Sequence, residues 1–384
     1  YNRRQVSFHL MPFEIDSLEN FTGKGLMFPG TFKSADIFPV FNDTLRLQSD
    51  YSLGFKRKTT KDGFDVYNGK ARYYDQIESS DSSYFIWLNQ GKESLVLDLR
   101  DKSDQHLLNN LLLKADIFVL NLAPESLIKL CLEPNSLAEK FPNLIICNIS
   151  GYSNKTDIYN EKAYDLLIQA ESGIIGVSGV ENSPGRIGIS IVDIGTGMTA
   201  HAAILNALIK RNNTKKGEVI NIAMFDVAAE WMTVPFLQSA FAGIDTIPAG
   251  LRHPTIAPYE AHVTKDKKII IIAVQNEREW KSFCEVTLNK KELAENSNFC
   301  SNVQRVKNRD KLNCIIDEVV NHLSAADFKL KLKAGNIAHA EVRSTSDLNF
   351  HSGFRDHEIF GSNGMAIKAP VSAFANSSTN SKVR

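Results

Sequence analysis

Hydrophobic periodicity is weak at the start of this chain and sharp further on. Over residues 1–66, charged, aromatic and glycine positions interrupt one another with no sustained period. From Ser83 the pattern resolves into elements. Leu95 to Leu99 is an apolar run after a Gly-Lys turn and predicts a strand, while D-Q-H-L-L-N-N-L-L-L-K over 104–114 sets leucines at helical spacing. I-F-V-L-N, after Ala115-Asp116, predicts another strand, and Pro124 suits the first turn of a helix E-S-L-I-K-L. F-P-N-L-I-I-C-N-I-S-G predicts a buried strand closed by Gly151. Strand and helix alternating at these lengths mark parallel α/β packing.

The pattern then predicts a helix from about Thr196 to Arg211, a turn at N-N-T-K-K-G and a strand in E-V-I-N-I-A-M-F-D. Residues 226–245 read as amphipathic helix. P-A-G-L-R-H-P-T-I-A-P-Y reads as a long loop, K-K-I-I-I-I-A-V-Q-N as a strand, and 277–333 as mostly helical with charged faces. The polar end S-S-T-N-S-K-V-R is expected to be disordered. A chain of 384 residues exceeds what one compact core usually holds. The expected division is an atypical segment 1–66, a large domain 67–225, a small domain 226–333, and a return to the large domain over 334–384.

Composition narrows the function classes. Apolar residues make up 43% of the chain, enough for buried cores, and 44 basic against 44 acidic residues give zero net charge. A neutral chain has no general electrostatic attraction for nucleic acid, so an anionic ligand must be met by local cations. Cys131, Cys147, Cys284, Cys300 and Cys314 show no C-x-x-C spacing, which favours reduced thiols over a zinc site or a disulfide framework. No apolar run reads as long enough to span a bilayer. The first residues are basic and acid-poor, with too short an apolar run for a secretory signal. A cytoplasmic location is expected, or the mitochondrial matrix in a eukaryote.

One carboxylate stands out. Asp193 ends the apolar run I-S-I-V-D and precedes I-G-T-G and a helix. Two readings are open: a helix N-cap, for which Asp is among the preferred residues, or an acid presented to a ligand over a helix N-terminus. Gly195 and Gly197 likewise admit close backbone approach by a ligand or plain helix–sheet packing. Gly-Thr-Gly lacks the third glycine of a dinucleotide fingerprint.

Taken together, K-A-Y-D-L-L-I-Q-A-E-S-G-I-I-G-V-S-G, P-G-R-I-G-I-S-I-V-D-I-G-T-G and M-T-A-H-A-A-I-L-N-A-L-I-K-R resemble the family III coenzyme A transferases. The resemblance implies an α/β fold with a large parallel-sheet domain of nucleotide-binding type, a smaller α+β domain, and an interlocked homodimer. It implies transfer of CoA between small carboxylic acids through a covalent intermediate on Asp193. Acyl-CoA is then a substrate, with no permanently bound cofactor, metal or nicotinamide. It places Lys92 (in L-N-Q-G-K-E-S), Arg72 (in G-K-A-R-Y-Y-D), Lys129 and Lys162 near the CoA, with Asn121 and Leu122 lining it. Glu125 and Cys131 stand where the family usually has Gly, and Glu125 would oppose phosphate binding if it faced the site.

Tyr164 stands where racemases of the same family carry the His of G-H-D-x-N-Y, and its high ordinary pKa makes it a poor base. That favours transfer over racemisation. F-D-V-A-A-E-W-M-T-V-P and G-L-R-H-P-T-I-A-P-Y look like mesaconyl-CoA transferases and related enzymes for small dicarboxylic acids. On that likeness Arg252 or His253 holds a second carboxylate; otherwise the Pro-rich loop is purely structural. The likeness runs from about Lys70 to His351. Residues 1–66 lack the motifs with which family members form the first strands of their sheet. The rival expectations are α-carbon chemistry, including racemisation, and a non-catalytic CoA-binding descendant.

Overall fold

The computed structural model describes residues 6–14, 22–27, 75, 82–88, 93–361 and 364–372. In chain order these form β1 (Val6–Glu14), β2 (Thr22–Met27), α1 (Ser83–Leu88), β3 (Glu93–Leu97), α2 (Lys102–Leu112), β4 (Ile117–Leu120), α3 (Pro124–Lys129), α4 (Pro134–Lys140) and β5 (Ile145–Ser150). Next come α5 (Asp165–Glu171), α6 (Ile174–Val177), the short pair β6 (Gly179–Val180) and β7 (Ser183–Pro184), α7 (Ile191–Thr214), β8 (Val219–Ala223), α8 (Met224–Trp231) and α9 (Thr233–Ala242). The remainder are β9 (Tyr259–Val263), β10 (Ile269–Ala273), α10 (Glu277–Ser282), α11 (Asn302–Lys307), α12 (Arg309–Val320), α13 (Ala325–Ala334), β11 (Ala338–Glu341), β12 (Asp356–Phe360) and β13 (Ala366–Pro370). The chain separates into two compact units.

The first unit comprises Tyr1–Ile175, Arg186–Asp245 and Arg355–Arg384. It is built on a six-stranded sheet of order β3-β1-β2-β4-β5-β8. The run β2-β4-β5-β8 is parallel, as expected. β1 is antiparallel to both of its neighbours, so the sheet as a whole is mixed. Residues 1–66 lack the family's motifs for the first strands, yet β1 and β2 from this segment lie inside the sheet.

β4 and β5 are buried along their whole length. Their side chains alternate between two covered faces, which is why both read as unbroken apolar runs. Phe118, Leu120 and Ile146 pack on leucines of α2, α3 and α4, among them Leu108, Leu112, Leu127 and Leu137. Ile117, Val119, Ile145, Cys147 and Ile149 meet Ala200, Ile204, Ala207 and Leu208 of α7. Each such Leu or Ile gains roughly 1.5–3 kcal/mol from leaving water. Burial pushes the Cys147 thiol up to about 12, so it packs as a small neutral group. Proline stands in the first turn of α3 and of α4, as its fixed φ permits.

α7 begins at Ile191, five residues before the expected start, and runs for 24 residues. Asp193 is therefore inside the first turn of the helix rather than ahead of it. By length and composition α7 would cross a bilayer, contrary to the sequence expectation. Half of its apolar stretch is buried in the unit, and its apolar side chains lie on β4 and β5, so it is a core helix. At its far end Arg211 pairs with Asp116 at 2.7 Å and donates to the carbonyls of Asp116 and Asn143. Those residues precede β4 and β5. α7 therefore runs antiparallel to the strands, with its N-terminus at their carboxyl edge.

The second unit comprises Gly176–Gly185 and Thr246–Phe354. Its antiparallel sheet has the order β11-β10-β9. The core joins Ile270 and Ile272 to Trp280, Phe283, Leu312, Ile316, Phe328 and Leu332 of the helices. A polar ladder links β9 to α12: Arg309 with Glu260 at 3.1 Å, Asn313 with Glu260, and His262 with Asp317 at 2.8 Å.

Candidate active site

The carboxyl edge of β4 and β5 gathers several of the expected residues. Asn121, directly after β4, donates its side-chain amide to the Ile149 carbonyl of β5 at 3.0 Å. Leu122 is half-buried against the core cluster on the α2–α4 side. Gly151 follows β5, and a Cβ there would lie 2.1 Å from the Ala163 Cβ. The segment Lys162–Asp165 is thus seated directly on the end of β5. Both clashing atoms are fixed to backbone, so neither can swing aside. Gly151→Ala is expected to lower stability by about 1–3 kcal/mol, seen as a fall in melting temperature.

Lys162 is exposed, and Tyr164, 48% exposed, occupies the N-cap position of α5 without a side-chain capping bond. Asp165 opens α5, yet its carboxylate serves α7. Its Oδ1 accepts from the backbone N–H of Val192 at 2.8 Å and of Asp193 at 3.2 Å. Its Oδ2 accepts from Gln169 Nε2 at 2.7 Å. Gln169 is fully buried, and its Oε1 accepts from the Ile187 N–H at 2.9 Å. Sequence reasoning missed this network. Its local signal was the i, i+4 spacing of Asp165 and Gln169 on one helix face.

Asp193 is half-buried. Asp193, Gly197, Ala200 and Ile204 recur at the spacing of one helix face, and the last three are buried. Asp193 continues that face beyond the strand ends. Its Cα–Cβ bond tilts toward the N-terminus, away from the packed part of the helix. The macrodipole there favours a negative charge. Gly195 lies two residues on, and a Cβ there would come within 2.0 Å of the Trp231 ring of α8. Both glycines are buried by the protein's own atoms, Gly195 beneath that indole.

Lys129 ends α3 on the surface, paired at 3.3 Å with Glu125, itself exposed. Arg72 and Lys92 lie outside the described residues. Arg252 and His253 belong to the second unit. Arg252 is exposed and bridges Glu260 in strand fashion, while the His253 ring stacks on Tyr259 at 5.2 Å. Their loop has no regular structure, as expected, but it is clamped. Arg309 donates to the carbonyls of His253 and Ile256, Arg305 to Ala257, and Asn302 to Thr255.

The model of CoA-transferase family III matches residues 67–384. The chain belongs to this family. Among curated relatives, this family III chain is 32% identical over 264 residues to the acetyl-CoA:oxalate CoA-transferase of Acetobacter aceti, covering 67% of this chain and 66% of that protein. It is 29% identical over 240 residues to the succinyl-CoA:glutarate CoA-transferase of Homo sapiens, covering 62% and 54%. It is 26% identical over 292 residues to the succinyl-CoA:mesaconate CoA-transferase of Haloarcula hispanica, covering 74% and 72%. The chain thus spans just under two thirds of the first of these relatives and about half of the second. A solved CaiB/BaiF family protein from Brucella suis superposes with a TM-score of 0.66 at 28% identity, covering 74% of this chain and 76% of that one.

Proposed function

We propose that this family III member transfers CoA between small carboxylic acids, with Asp193 as the nucleophile. The observation that carries the reading is the place of Asp193: a half-buried carboxylate in the first turn of a long helix, at the carboxyl edge of a parallel sheet, where open α/β sheets bind ligands. The relatives named for oxalate, glutarate and mesaconate support small acids, dicarboxylic ones among them, as the substrate class.

In the first step an Asp193 oxygen attacks the thioester carbonyl. The C–S bond breaks, CoA leaves as thiolate, and a mixed anhydride forms on Asp193. The thiolate then attacks the Asp193 carbonyl carbon, releasing the donor acid and leaving an aspartyl-CoA thioester. The acceptor carboxylate attacks that thioester and expels the thiolate. The thiolate finally takes the new acyl group and restores the Asp193 carboxylate. No net proton is exchanged. Asn121, Leu122, Lys129, Lys162 and Tyr164, with Arg72 and Lys92, serve the CoA, while Gly195 and Gly197, buried under the protein's own atoms, serve the packing of α7 rather than the acyl end. Incubation with succinyl-CoA followed by hydroxylamine tests the reading: mass spectrometry should find a hydroxamate confined to the Asp193 peptide. An unmodified peptide in folded protein would refute it.

The working form in this reading is a homodimer. α9 buries none of its residues, and Val234, Phe236, Leu237 and Phe241 are exposed, Phe241 at 80%. Val234, Leu237 and Phe241 fall on one face of the helix, and an exposed apolar face of this kind supports an interface. Light scattering should give twice the chain mass, and Phe236→Asp with Phe241→Asp should shift it toward one.

A further inference from the structure

We propose that Asp165 is a positioning residue for Asp193. It caps α7 from outside the helix and fixes the backbone from which the nucleophile's side chain projects. The inference rests on Asp193 being the nucleophile.

The first turn of any helix has N–H groups without intrahelical partners. In α7 the residue at the N-cap position, Ser190, makes no side-chain capping bond. The Ile191 N–H goes to the Ile189 carbonyl and the Ile194 N–H to the Ser190 carbonyl. The two N–H groups between them, of Val192 and Asp193, both go to Asp165 Oδ1. The backbone from which the Asp193 side chain projects is therefore tied to a carboxylate on another helix, and a reacting group is only as well placed as the backbone that carries it. Asp165 is itself held from behind. Gln169 binds its second oxygen and, through its own oxygen, the Ile187 N–H on the chain leading into α7. Two side chains one turn apart on α5 therefore fix both the approach to α7 and its first turn.

The test is single-turnover acylation by succinyl-CoA, trapped with hydroxylamine, in wild type, Asp165→Ala and Asp165→Asn. Asn keeps an oxygen acceptor of the same shape. Asp165→Ala should slow hydroxamate formation about tenfold or more, the cost of a misplaced reacting group, with the half-saturating succinyl-CoA concentration little changed. Asp165→Asn should recover most of the rate. A purely structural role would lower the melting temperature without this split. A folded Asp165→Ala that acylates at the wild-type rate overturns the proposal. So does a variant that loses succinyl-CoA affinity while keeping its rate at saturation. Should Asp165→Ala fail to fold, Gln169→Leu takes its place: slowed acylation supports the proposal and an unchanged rate overturns it. A wild type that yields no hydroxamate instead refutes the nucleophile reading, and this inference falls with it.

Discussion

Asp193→Asn is expected to lower CoA transfer by at least about a thousandfold, because removing a covalent nucleophile leaves only binding and orientation to act on the reaction. Exchange of labelled succinate into succinyl-CoA is the direct measurement. The amide has the volume of the acid and can stand in the first turn of α7, so the fold should persist. Circular dichroism and melting temperature close to wild type would show this. The residual exchange should yield no hydroxamate at position 193. A variant that keeps a tenth of the wild-type exchange would remove Asp193 from the chemistry and leave it as an acidic residue in a helix's first turn.

The largest stability effect is expected at Arg305. Its guanidinium is 1% exposed, donates to the carbonyls of Ala257 and Phe299, forms a two-bonded pair with Glu277 at 2.8 and 2.9 Å, and lies 4.9 Å over the Trp280 ring. Arg305→Met would strand two carbonyls and unclamp one end of the Arg252–His253 loop. The expected loss is about 2–4 kcal/mol, carried mainly by the two buried carbonyls left without a donor, because the Glu277 side chain is 56% exposed and returns to water. The effect also has a pH signature. The hydrogen bonds from Arg305 hold the Glu277 carboxyl below its ordinary range. A depressed folded pKa contributes stability that is present above the unfolded value and is lost as pH falls through the folded one. The denaturant midpoints of wild type and Arg305→Met should therefore converge as pH falls below about 4. Midpoints that keep a constant separation from neutral to acid pH would show that Glu277 adds nothing.

The parallel half of the large sheet was legible because burial on both faces leaves its mark in neighbouring residues. β4 and β5 are apolar runs, and Pro124 and Gly151 mark their surroundings. The start of α7 was not legible. I-S-I-V-D is rich in β-branched residues, which lower helix propensity, and the group that caps the helix, Asp165, is remote in sequence. β1 and β2 were missed for a related reason: a strand defined by its neighbours in a sheet carries no periodicity of its own when its sequence mixes charge, aromatics and glycine. Arg305 and Arg309 read as part of a charged helix face. Their burial follows from the loop carbonyls they hold, which no helical period can show. Asp193 itself was found from its motif, whereas the network around it became visible only in three dimensions.

α7 is gripped at both extremities, by Asp165 at one end and by the turns before β4 and β5 through Arg211 at the other. A helix fixed at each end and packed on β4 and β5 between cannot slide or turn without breaking one of its anchors. Asp193 and Arg211 are about 27 Å apart along the axis, so the acid takes its height above the sheet partly from contacts made at the opposite rim.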